Sequence, residues 1–131
     1  MSTDPITRWH ALAAARDAAA LDDLVADDAV FQSPAVHTPQ AGKPLVLAYL
    51  KAALAVLGND SFRYLGEWRG ERSAVLEFEA TLDGMYVNGV DMIRWNEAGR
   101  ITHFKVMVRP VKGLQALIAR MAERLQALQK G

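Results

Sequence analysis

The chain contains no cysteine. That excludes disulfide bonds, a thiolate nucleophile and thiolate metal ligands, and it is the composition expected of a reducing, cytoplasmic setting. It has no surplus of charge of either sign, fifteen Lys and Arg standing against fifteen Asp and Glu. A nucleic-acid binder needs a basic excess to displace counterions, so neither DNA nor RNA is expected as a partner. No apolar run approaches the roughly 20 residues of a membrane helix. Met1 to Pro5 lack the basic start and apolar stretch of a secretory signal, so none is expected. The three His are scattered with no i,i+4 pair, and there is neither a Gly-rich phosphate loop nor a nucleophile elbow. No metal or other cofactor is therefore expected. What is present is apolar substance: 51% of the 131 residues are hydrophobic, enough for one sizeable core and a single domain over residues 1–131.

Periodicity divides the chain into helices first and strands after. Thr3-Asp4-Pro5 is a helix start, and Ile6, Trp9, His10, Ala13 and Ala14 recur at helical spacing to about Asp17. A second short helix is predicted from about Ala19 to Ala26, ended by Asp27-Asp28, with a short strand from Ala29 to Ser33 stopped by Pro34. Three prolines and a glycine make the stretch from Pro34 to Pro44 a loop. A third helix spans Lys43 to Leu57, apolar at Leu45, Leu47, Ala48, Leu50, Leu54 and Leu57, and stops at Gly58. The period then becomes two. Ser61 to Gly70, Ser73 to Leu82, Met85 to Asn96 and Ile101 to Pro110 read as strands, with a hairpin signal at Asp83-Gly84. Leu114, Leu117, Ile118, Met121, Leu125 and Leu128 form one stripe of a closing helix.

This order predicts an α+β fold: N-terminal helices packed on a curved antiparallel sheet that closes into a cone, with an additional C-terminal helix. Alternation places Leu76, Phe78, Ala80 and Leu82, and Phe104, Val106 and Val108, on the inner face. Glu77, Glu79, Lys105, Met107 and Arg109 fall on the outer one.

Three stretches together resemble the ketosteroid isomerase branch of the nuclear transport factor 2-like (NTF2-like) superfamily, to which SnoaL-type polyketide cyclases also belong. They are Asp27 to Pro34, Gly42 opening the third helix, and Val90-Asp91-Met92-Ile93-Arg94-Trp95 followed by Gly99-Arg100-Ile101. The resemblance implies an apolar pocket for a small apolar molecule and a homodimer through the outer sheet face. The mixed row of Met92, Arg94, Lys105, Met107 and Arg109, too apolar for free solvent, suits that dimer. In the isomerases a late-strand Asp and a first-helix Tyr stabilise an enolate oxygen while a first-strand Asp moves the proton. The late-strand Asp matches Asp91; the base falls at Ser33 and the Tyr at Trp9. This departure argues against steroid isomerisation as such, and leaves open an isomerase, cyclase or dehydratase on a hydrophobic substrate, a binding module without chemistry, or a dimeric interaction protein with a filled cone.

Asp91 has two readings. On the face of Ile93 and Trp95 it is a carboxyl among apolar walls, kept neutral by desolvation; alternatively Asn88-Gly89 makes a turn and exposes it. His37, in the Pro-rich loop, is the remaining candidate base by its pKa, or an ordinary loop histidine. Trp9, Ser33, Phe78, Ile93, Trp95, Phe104 and Val106 are the expected ligand-binding wall, with Trp9 and Trp95 equally readable as plain core.

Overall fold

The structure, a computed structural model, describes residues 4–130, with side chains as far as residue 127. Thr3 of the predicted helix start, and the side chains of Leu128 and Lys130, lie outside the described residues. Asp4 caps α1 (Pro5–Ala15) by accepting the Thr7 N–H, and Arg16 ends it in the left-handed region at φ 54°. After a 3-10 turn at Ala18–Ala20 comes the single-turn α2 (Leu21–Leu24). The predicted second helix is thus cut short, because Val25 already belongs to β1 (Val25–Gln32). Asp27 and Asp28 do not break the chain; they lie in that strand with their side chains in solvent. The strand accommodates them because its register with its neighbour slips between Val25 and Val30.

The Pro-rich loop holds a two-residue strand, β2 (Gln40–Ala41), paired antiparallel with β1. Gly42, at φ 98°, turns the chain into α3 (Lys43–Leu57), which buries Val46, Leu50 and Ala52. Leu45, expected inside, is 40% exposed, so the buried stripe starts one residue later. The strands β3 (Arg63–Gly70), β4 (Ser73–Leu82), β5 (Met85–Trp95) and β6 (Ile101–Arg109) follow as a meander, and α4 (Val111–Lys130) closes the chain.

All six strands form one sheet in the order β2-β1-β6-β5-β4-β3. It is mostly antiparallel, as expected, and mixed in one place, where β1 and β6 run parallel. The cause is the path of α3, which carries the chain to the far edge; the hairpins from β3 onward then bring β6 back beside β1 in β1's own direction. The inner face is the expected one: Leu76, Phe78, Ile93 and Phe104 are at most 2% exposed. Each such side chain contributes about 1.5–3 kcal/mol by leaving water. α4 is fastened at two points. Gly113 seats it where a Cβ would lie 2.3 Å from the Tyr86 carbonyl oxygen, and Arg120 forks onto Asp83 in the β4–β5 turn, with Nε 2.8 Å from Oδ2.

On the outer face, register aligns Trp68, Val75, Met92 and Lys105 in one row across β3 to β6. Trp68 is 59% and Met107 51% exposed. Arg63 pairs with Glu79 across strands, whereas Arg109 bonds Asn88 at 3.4 Å. Burial, then the charges of Lys105 and Arg94, lower the pKa of His103, which bonds Gln32 on this face. Among the described residues no helix is long and apolar enough to cross a membrane.

Candidate functional site

Between the inner sheet face and α1, α3 and α4 a cavity of about 80 Å³ remains. Trp9 of α1, Leu54 of α3, Phe78 and Phe104 of the sheet and Leu117 and Met121 of α4 form much of its apolar wall. α4 therefore covers the cavity of its own chain.

Asp91 is the buried carboxylate of this wall, 6% exposed. β5 runs through Asn88-Gly89 without a turn, so alternation directs Val87, Gly89, Asp91 and Ile93 inward. Asn88 is held by Glu77 and the Phe78 carbonyl, at 3.0 and 2.9 Å. Gly89 is where the Phe78 ring crosses the strand; a Cβ there would lie 2.5 Å from Phe78 Cζ. The cross-strand neighbours of Asp91 are Leu76 and Val106.

One carboxyl oxygen, Oδ2, accepts the Tyr64 hydroxyl at 2.9 Å, and the Tyr64 oxygen accepts the Trp9 indole N–H at 2.7 Å. Oδ1 takes no hydrogen bond from the protein. Every fully enclosed side-chain polar atom among the described residues has a partner, so Oδ1 is open to the cavity. Burial raises the Asp91 pKa to about 7, with the Tyr64 hydrogen bond opposing it. Burial, and then the neighbouring Asp91 charge, push the Tyr64 phenol well above its ordinary value. A carboxyl that changes state near neutrality can both take and give a proton.

Of the expected wall, Trp9, Ser33, Phe78, Phe104 and Val106 line the cavity. Ile93 and Trp95 do not; Ile93 is core and Trp95 is half-buried against it. Ser33 turns the loop, its Oγ accepting the Ala35 N–H at 2.9 Å. His37 is exposed and is not part of the cavity wall; it lines an adjoining open groove with Lys105, Met107 and Val108, which shares Ser33, Pro34, Ala35 and Val106 with the Asp91 cavity. The structure thus brings Asp91 together with Trp9 and Ser33 in one cavity wall, and leaves His37 outside that wall.

Sequence reasoning missed Tyr64. Its strand reads as surface, with Arg63, Glu67, Trp68 and Arg69 around it. The available signal was the i,i+2 aromatic pair Phe62 and Tyr64, which faces Phe78 in the register Tyr64↔Phe78. His10 meets the Tyr64 ring edge-on at 5.0 Å and bonds Glu67 at 2.8 Å. Among the described residues no three His, Asp or Glu converge on a point where a metal could sit.

Residues 6–104 match the profile of the SnoaL-like domain, and the chain belongs to that family. A steroid delta-isomerase from Pseudomonas aeruginosa is similar at 43% identity and a TM-score of 0.91, covering 97% of this chain and 93% of its own. An uncharacterised protein with a cystatin-like fold from Silicibacter pomeroyi shares 31% identity at a TM-score of 0.84, covering 92% of this chain and 84% of its own. An NTF2-like protein of unknown function from Mesorhizobium loti, 20% identical over 81% of this chain and 88% of its own, aligns at a TM-score of 0.70. The fold is accordingly NTF2-like. No curated protein matches the chain.

Proposed function

We propose that this chain binds a small apolar carbonyl compound in the cavity and moves a proton on it without a cofactor, as an isomerase, cyclase or dehydratase does. Asp91 is the acid or the oxyanion partner. The observation that carries this reading is a single buried carboxylate among apolar walls, with one oxygen bonded to Tyr64 and the other open to the cavity. The likeness to a steroid delta-isomerase supports it. Trp9 and Ser33, standing where the isomerase resemblance asks for a phenol and a base, point to a different substrate or step. They also favour a second reading, binding without turnover.

Thermal-shift screening of cyclic apolar ketones, followed by turnover assays on those that bind, tests both readings. Under the first, Asp91→Asn and Asp91→Ala lose turnover, and Asp91→Ala also loses affinity for the carbonyl. Under the second, ligands stabilise the parent and none is converted. Equal binding and activity across the three proteins would remove Asp91 from the site. As partner we propose a second copy of the chain on the outer sheet face, where Glu77 and Glu79 of one copy can meet Arg94 and Lys105 of the other across a twofold axis.

A further inference from the structure

We infer that Tyr64 is the positioning residue of this cavity: fixed by the Trp9 indole, it engages Asp91 Oδ2 and leaves Oδ1 as the atom that exchanges a proton with the ligand. This rests on the reading of Asp91 as the proton-transfer group, and the donors and acceptors along the three side chains fix it. An indole N–H can only donate, and a phenol has one proton to give. With Trp9 Nε1 2.7 Å from it, the Tyr64 oxygen must act as an acceptor on that side. Its own proton is then left for the carboxyl 2.9 Å away. The chain Trp9 to Tyr64 to Asp91 therefore has one direction. The phenol is also held in place: Phe62 meets its ring edge-on at 5.1 Å and His10 does so at 5.0 Å, while Trp9 lies tilted on Phe104 at 5.0 Å.

Two consequences follow from that direction. The Tyr64 proton is committed to Asp91 and is not offered to a ligand carbonyl. The carboxyl, in turn, is pinned by one oxygen, so its free oxygen points consistently at whatever fills the cavity. Around it, β4 and β6 supply Leu76 and Val106, and α3 and α4 supply Leu54 and Met121, none of them titratable. Behind Tyr64, His10 is paired with Glu67. Tyr64 is thus the titratable group that bonds Asp91, and its hydrogen bond offsets part of the rise in proton affinity that burial imposes.

The test is a ligand-free titration of the Asp91 carboxyl by carbon-13 NMR, the resonance being assigned by its loss in Asp91→Asn. Tyr64→Phe keeps the ring and removes the donor that favours the carboxylate. Its Asp91 midpoint is expected to rise by about one pH unit relative to the parent. Trp9→Phe leaves Tyr64 in place but weakens its polarisation, and is expected to raise the midpoint by less. A merely structural role for Tyr64 lowers the melting temperature and leaves the midpoint where it was. Unchanged midpoints in both folded variants overturn the inference. If Tyr64→Phe does not fold, Trp9→Phe decides, and no rise there overturns it equally. Because no ligand is used, failure here leaves the proposed function standing, and absence of turnover leaves this result standing.

Discussion

Replacing Asp91 by Asn tests the electrostatics of the cavity through stability alone. The amide keeps the shape, and its oxygen can still accept the Tyr64 hydroxyl, but it cannot ionise. In the parent, burial lifts the Asp91 pKa from 3.8 to about 7. The unfolded chain therefore releases this proton at lower pH than the folded protein does. Below pH ~4 the carboxyl is protonated in both states and has no effect on folding. Between pH ~4 and ~7 only the unfolded chain ionises, so stability falls as pH rises, by about 1.4 kcal/mol per pH unit. Above pH ~7 both states are ionised and the loss levels off at about 4 kcal/mol. Asp91→Asn lacks this loss, while every other titration is shared and cancels in the difference. Urea denaturation of both proteins from pH 4 to 9 should show curves that meet at the acid end and separate progressively toward pH 7, the variant being the more stable. Parallel curves with no pH-dependent gap would refute the burial argument. A variant less stable than its parent at pH 8 would show that an unrecognised cation compensates the carboxylate.

Gly89→Ala forces a Cβ against Phe78 and the Met107 carbonyl oxygen; a loss of about 1–3 kcal/mol is expected in urea denaturation, with the Asp91 titration disturbed as β5 shifts. Leu117→Ala enlarges the cavity from the α4 side and should cost about 2–3 kcal/mol, and apolar ligands found by thermal shift should recover part of it. Trp68→Glu and Met107→Glu put charge into the exposed outer face; sedimentation should show a dimer for the parent and a monomer for the double variant, and a monomeric parent would remove the proposed interface.

Much of the architecture was legible because its signals are local. Lys43 to Leu57 is bounded by glycines at both ends, and the alternation from Ser73 to Leu82 is nearly uninterrupted, so these elements fall where the sequence puts them. Asp27-Asp28 misled because two adjacent carboxylates usually mark a breaker, whereas a slipped register lets a strand carry both in solvent. The inward direction of Asp91 followed from period two along β5, and its partner did not. Tyr64 lies 27 residues away in sequence, and it becomes a neighbour only through the stacking of β3 on β4 and β4 on β5. Pairings of that kind leave no local trace in one sequence. Likewise, a loop histidine does not advertise which side of its loop it joins, and His37 lines the groove beside the Asp91 cavity and not the cavity itself.

The position of β6 between β1 and β5 governs the order in which the molecule can assemble. Gln32 and His103, neighbours in the sheet, are 71 residues apart along the chain. Until Ile101–Arg109 exists, β1 has only the two-residue β2 to pair with, and Phe31 lacks the Phe104 ring that it stacks on at 6.0 Å. The meander from β3 to β6 closes through short turns, but the β1–β6 contact must pay the entropy of a long loop before it gains anything. During synthesis, then, the helices and first strand emerge without the surface that buries them. The cavity wall, which takes Trp9 from one end of the chain and Met121 from the other, is completed as a late event of the whole polypeptide.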